Sequence, residues 1–275
     1  MDTPAGVYGV DWSGALDAGA RVWVARGEPS AGGLRIAWVR PGADLPGSGV
    51  ERDRCLPALG AFIASQDGAV FGLDFPFGLP RSLVEAATWE AFVLSFAARY
   101  PTSEAFRSRC RKAARGREAR RDTDREAGTP FSPYNLRLYR QTFFGIRDLL
   151  APLVRGHAAS VVPMQPPLPG RPWLVEICPA STLKREGLYG VRYKAQSGGD
   201  RVAAAGRARV LRGIERALFV SFASPGVRRS ILDDPRGDAL DSVVAACAVS
   251  RSLRDGTLLD GPSDGPSRLE GRVFT

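Results

Sequence analysis

The chain has one histidine and four scattered cysteines, and each scarcity excludes something. Its one histidine, His157, would have to carry a catalytic triad or a histidine-rich zinc site alone. Its place beside Gly156, near an expected helix end, marks it instead as a surface or capping residue. The four cysteines, Cys55, Cys110, Cys178 and Cys247, lie far apart and form no C-x-x-C pair. That excludes a zinc ribbon and a disulfide framework and fits free thiols in a reducing compartment. No run of about 18 apolar residues occurs, and the start MDTPAGVYGVDW lacks the basic and apolar segments of a leader. These features predict a soluble, cytoplasmic protein with no membrane partner. Neither a G-x-x-x-x-G-K-[ST] loop nor a G-x-G-x-x-G after the first strand is present, so the common nucleotide-binding motifs are missing.

What is abundant is arginine. The 38 basic residues include only three lysines, Lys112, Lys184 and Lys194, and the formal net charge is +9. A positive field attracts phosphates, which makes nucleic acid the first expected partner; arginine-rich codon usage and solvated surface also account for part of the excess. Lys184 and Lys194 follow closely on the segment carrying Glu176, where a compact ammonium supplies a point charge that Arg does not reproduce.

The residue pattern predicts one α/β domain over residues 1–275, with a helical insertion at about 81–150. Three strands, Val7 to Asp11, Arg21 to Ala25 and Leu34 to Val39, read as a meander. A helix over Arg54 to Ser65 follows, then the apolar strand AVFGLDF, which ends at Pro76. The insertion contains a basic stretch, Arg107 to Arg125, and a helix opening at Ser132 and Pro133 as N-cap and first position. After a Pro-rich loop, WLVEI (173–177) returns to strand character, followed by a short helix ending at Gly187 and a longer one over Val202 to Phe219. Asp234 and Pro235 read as the cap and first residue of the last helix, and EGRVF (270–274) as a terminal edge strand.

Carboxylates stand in unusual places along this pattern. Asp11 and Asp74 each end an apolar strand, where sites are built in α/β sheets, although Asp also caps turns. Glu176 lies among apolar residues, and burying its charge requires a cation or hydrogen bonds; an outward-facing edge position is the alternative. Asp238 and Asp241 are three apart on one helix and project from nearly one face, and both also complement the helix dipole. Asp241 interrupts the apolar run ALDSVVAACAV. Converging carboxylates repel one another, and a hard divalent ion, Mg²⁺ or Mn²⁺, relieves that repulsion with oxygen-only ligands.

The motifs GVDWSG, GLDFPFGLP, VEICPAST and GDALDSVVAACAV, in this order over roughly residues 7–274, resemble a family of uncharacterised proteins predicted to be ribonuclease H-like nucleases. The terminal D-x-x-D helix is similar to that of Holliday-junction resolvases. The resemblance implies a ribonuclease H-like fold, in which a three-strand antiparallel meander is followed by parallel strands and helices cover both faces. It also implies metal-dependent hydrolysis of phosphodiester bonds in DNA or RNA with one or two Mg²⁺ or Mn²⁺ ions. Asp11, Asp74, Asp238 and Asp241 carry over as metal ligands and catalytic residues, with Glu176 as an additional acid. Ser13, Lys184, Lys194, Arg137 and Arg140 are the expected substrate-binding residues. Two other readings stay open: an ATP-dependent phosphotransferase of the actin and sugar-kinase type, and a nucleic-acid-binding protein without catalysis.

Overall fold

A computed structural model describes residues 4–30, 32–195, 200–258 and 265–275. Strands β1 (Val7–Asp11), β2 (Trp23–Ser30) and β3 (Gly33–Pro41) form the expected antiparallel meander. β2 is longer than the expected segment because pairing with β3 continues through Pro29 and Ser30. β4 (Val70–Leu73) lies parallel to β1, and β6 (Trp173–Ile177) parallel to β4. β5 (Ser160–Val161), in the segment expected to lead into a loop, pairs with the start of β6, and β8 (Val273–Phe274) pairs with its end. β7 (Val220–Phe222) closes the other side, giving the order β5-β6-β4-β1-β2-β3-β7.

The sheet is covered on both faces, as its near-continuous apolar strands require. On one face, the Arg52–Ala64 helix and the insertion bury Tyr8, Val10, Phe71, Leu73 and a large set of aromatic side chains. The opposite face carries the Arg201–Ala217 and Asp238–Arg254 helices, packed on Val7, Ala25, Ile36 and Val175. Every residue from Ala239 to Ser252 is buried, the mark of a helix enclosed on all sides. Among the described residues no helix is long and apolar enough to cross a membrane.

Two expected helix starts move. Ser132 and Pro133 do not open a helix: the Ser132 hydroxyl donates to Glu118 Oε2 at 2.8 Å, and the helix begins at Tyr139. It continues through a π-helical turn, Gly145–Leu150, into Ala151–Arg155. The last helix begins at Asp238, not at Pro235, because Gly237 takes a left-handed conformation (φ 77°) just before it. Asp234 still caps that end from a distance, since its Oδ2 accepts from the Ala239 N–H at 2.9 Å.

Candidate active site

β1 and β4 carry the same short pattern, Gly9-Val10-Asp11 and Gly72-Leu73-Asp74. The two strands are in register, with Gly9 opposite Gly72 and Val10 opposite Leu73, and the Asp74 N–H donates to the Val10 carbonyl at 3.1 Å. The aspartates therefore leave the sheet side by side. Residues two apart on a strand share a face, so each aspartate projects on the same side as its glycine. That side is where the Asp238–Arg254 helix lies. A Cβ on Gly9 would stand 2.0 Å from Ser242 O and 2.2 Å from Ala246 N, and one on Gly72 would stand 2.6 Å from Val249 Cγ2. The missing side chains let the helix settle on the strands, with Asp238 and Asp241 in its first turn.

The residues following the two aspartates hold the insertion in place. The Trp12 and Phe75 rings pack in a tilted pair, centroids 4.7 Å apart and planes 42° apart. Trp12 Nε1 donates to Gln141 O at 3.1 Å, and Gln141 Nε2 returns a bond to Trp12 O at 3.2 Å.

Asp241, buried at the helix start, has both oxygens engaged. Tyr193 OH donates to Oδ1 at 2.8 Å, and Lys194 Nζ lies 2.6 Å from Oδ2 and 3.8 Å from Asp238 Oδ1. Asp238 also pairs with Arg236 Nε at 2.9 Å. The Tyr193 and Lys194 backbone is fixed by buried Arg207, which donates to the carbonyls of Tyr193 (3.1 Å) and Pro235 (3.2 Å). The Lys194 side chain is 52% exposed, and its ammonium reaches into the carboxylates.

The electrostatics record crowding. Burial, then the Asp241 carboxylate, hold Asp11 well above the usual carboxylate range, with Asp238 and Asp74 adding to the rise and Lys194 opposing it. Asp74 is pushed up to about 8 by the same burial and the same neighbour. Asp238 is raised chiefly by burial. Burial would lower the Lys194 ammonium, but Asp241 and Asp11 more than offset this and keep it charged. One lysine thus faces four carboxylates and does not neutralise them. Among the described residues no three His, Cys, Asp or Glu side chains already stand together as a ligand set; the carboxylates are arranged around the ammonium. The donors are all oxygen, carry excess negative charge and sit at strand and helix ends, which fits a hard divalent cation.

Glu176 is placed differently. It is buried on an interior stretch of the sheet, which removes the outward-facing alternative, and both oxygens are taken. Arg121 binds Oε1 through Nη2 and Oε2 through Nη1 (2.7 Å), and the Phe77 N–H donates to Oε2 at 2.9 Å. Arg121 also bonds Asp124 Oδ1 (2.6 Å) and the Glu270 carbonyl (2.9 Å). The pair ties the insertion to β6 and the C-terminal segment. Glu176 adjoins the aspartates without offering them a free oxygen.

Of the expected substrate-binding residues, Lys194 is in the site and Arg137 lines the cleft beside it. Lys184 is exposed and donates to Gly128 O at 2.9 Å. Ser13 Oγ accepts from the Ala15 N–H at 3.3 Å, a local turn. Arg140 pairs with Glu104 at 3.2 Å on the insertion surface. In the basic stretch, Arg107, Arg111 and Lys112 line an exposed groove, whereas Arg121 is buried. His157, exposed with φ 48°, follows the Ala151–Arg155 helix.

Gly9, Gly72, Arg121, Tyr193 and Arg207 were not singled out from the sequence. The repeated Gly-x-Asp at two strand ends was a visible signal for the first two. The others act through contacts 14 to 55 residues away, which no local pattern reveals.

No curated protein and no solved structure matches the chain. A family model described as "Protein of unknown function (DUF429)" matches residues 4–265, and the chain belongs to that family.

Proposed function

We propose that this chain is a metal-dependent nuclease with a ribonuclease H-like fold, hydrolysing phosphodiester bonds in DNA or RNA. One observation carries the reading: Asp11 and Asp74 stand level on adjacent parallel strands and face Asp238 and Asp241 on the helix that Gly9 admits. The order β3-β2-β1-β4-β6, antiparallel at first and then parallel, supports the fold assignment.

Asp11, Asp74, Asp241 and Asp238 are the residues that would hold one or two Mg²⁺ or Mn²⁺ ions. A divalent ion bound there would supply positive charge to the scissile phosphate and acidify a water molecule. The chain's own groups prepare that site. Tyr193 OH fixes the Asp241 carboxylate, and Arg207 fixes the segment bearing Tyr193 and Lys194. The Lys194 ammonium, once released from Asp241, is within the site to meet a phosphate oxygen.

The phosphotransferase reading needs free backbone N–H groups after Asp74 to cradle phosphates. Those of Asp74, Phe75 and Phe77 already donate to Val10 O, Leu73 O and Glu176 Oε2. The non-catalytic binding reading has one specific observation in its favour, the ammonium already seated among the carboxylates. The two remaining readings separate in one assay. Labelled single-stranded and duplex DNA and RNA are incubated with the protein and Mn²⁺ or Mg²⁺. Cutting by the wild type and a loss of at least about a hundredfold in Asp11→Asn are expected for a group that contacts the reacting centre. Binding without cutting across all substrates and both metals would refute the nuclease assignment.

A further inference from the structure

Asp74 and Asp241 line a cleft of about 410 Å³, a volume in the range of sites that enclose small molecules, about 300–1,000 Å³. Its walls are more aromatic than a surface that only tracks a phosphate backbone requires. Phe131, Tyr189 and Tyr193 line it, together with Arg137, Pro130 and Pro179. Tyr189 is 50% exposed, and among the described residues neither Phe131 nor Tyr189 packs against another aromatic ring. Both rings are instead paired with a cation. Arg137 Cζ lies 5.4 Å from the Phe131 centroid, and Lys184 Nζ lies 4.7 Å from that of Tyr189.

Two cleft-lining rings that stack on no other ring, each with a cation over one side and beside a carboxylate site, match the chemistry of an unstacked nucleotide: ring for base, ammonium or guanidinium for phosphate. A base within a duplex offers protein only its edges in the grooves, because its faces are stacked on its neighbours. Only an unpaired base can use such walls. We propose that this cleft is a subsite for an unpaired nucleobase beside the scissile phosphate, and that the substrate is single-stranded nucleic acid. The proposal rests on the nuclease reading for its orientation, but it concerns binding and is measurable without cutting.

Fluorescence anisotropy of a fluorescein-labelled mixed-sequence 12-nucleotide strand and of its 12-base-pair duplex, in EDTA with the full chain, provides the test. The single strand binds at least about tenfold more tightly than the duplex, and Tyr189→Ala and Phe131→Ala each weaken it by about tenfold. Tyr189→Phe, which keeps the ring, retains wild-type affinity, and duplex binding is unmoved by Tyr189→Ala. Equal affinity for strand and duplex, or single-strand affinity unchanged in both alanine variants, overturns the subsite. If metal-dependent cutting persists alongside that result, the nuclease reading survives and only the cleft assignment falls. If the strand preference and its loss in Tyr189→Ala are seen while the wild type never cuts, the reverse holds.

Discussion

Replacing Glu176 with Gln separates a structural carboxylate from a metal ligand. The side chain keeps its shape, but the charge opposing Arg121 is removed and an amide N–H₂ takes the place of one acceptor oxygen. Arg121 is 1% exposed and loses one of its two carboxylate partners, while Asp124 remains at 2.6 Å. Breaking a buried ion pair from one side costs about 3–5 kcal/mol. The surviving Asp124 contact puts this case at the lower end, about 3 kcal/mol, and for a chain of this size that lowers Tm by roughly 6–12 °C. Urea unfolding of the metal-free protein should show a reduced midpoint with an unchanged slope, while calorimetric Mn²⁺ binding is retained, weakened at most about a hundredfold as for a group that only adjoins the ligands. Stability within about 0.5 kcal/mol of wild type, with Mn²⁺ affinity lost, would refute the reasoning and return Glu176 to the ligands.

Three further outcomes follow from the same geometry. Asp11→Asn removes a carboxylate that its neighbours repel, so in EDTA it should raise Tm by about 2–4 °C, near 1 kcal/mol, even as it abolishes function; an unchanged or lower Tm argues against crowding. Asp11, Asp74 and Asp238 keep their protons to higher pH in the folded chain than in the unfolded one, where carboxylates release them near pH 4. Stability of the metal-free protein should therefore fall as pH rises from about 4 to about 8, by at most about 1.4 kcal/mol per unit for each proton, and melts that are flat or improve over that window contradict it. Gly9→Ala drives a methyl into the Ser242 and Ala246 backbone and should cost at least about 3 kcal/mol by denaturant unfolding, where a helix-lined surface site would lose under 0.5.

Local pattern exposed those parts of the fold in which neighbours in sequence do the work. The strands ending at Asp11 and Asp74 and the apolar WLVEI segment are legible because burial on both faces writes them as short apolar runs. The Ser132-Pro133 helix start failed because the Ser132 hydroxyl found Glu118, 14 residues away, in place of its own helix. The last helix began late because Gly237 supplies a left-handed residue that an Asp-Pro cap signal does not anticipate. Glu176 could be recognised as needing a partner, but not as belonging to Arg121, because that pairing depends on how the insertion folds back across 55 residues. Within the site, the acids were visible and the arm that neutralises one of them, Tyr193 and Lys194, was visible only as a scarce lysine.

A crystal of the full chain soaked in Mn²⁺ tests the central claim most directly, through the anomalous signal of the metal. The account predicts one or two peaks coordinated by Asp11, Asp74 and Asp241 or Asp238, with the Lys194 ammonium withdrawn from Asp241. No peak among these carboxylates at saturating Mn²⁺, with Lys194 still bound to Asp241, would contradict it.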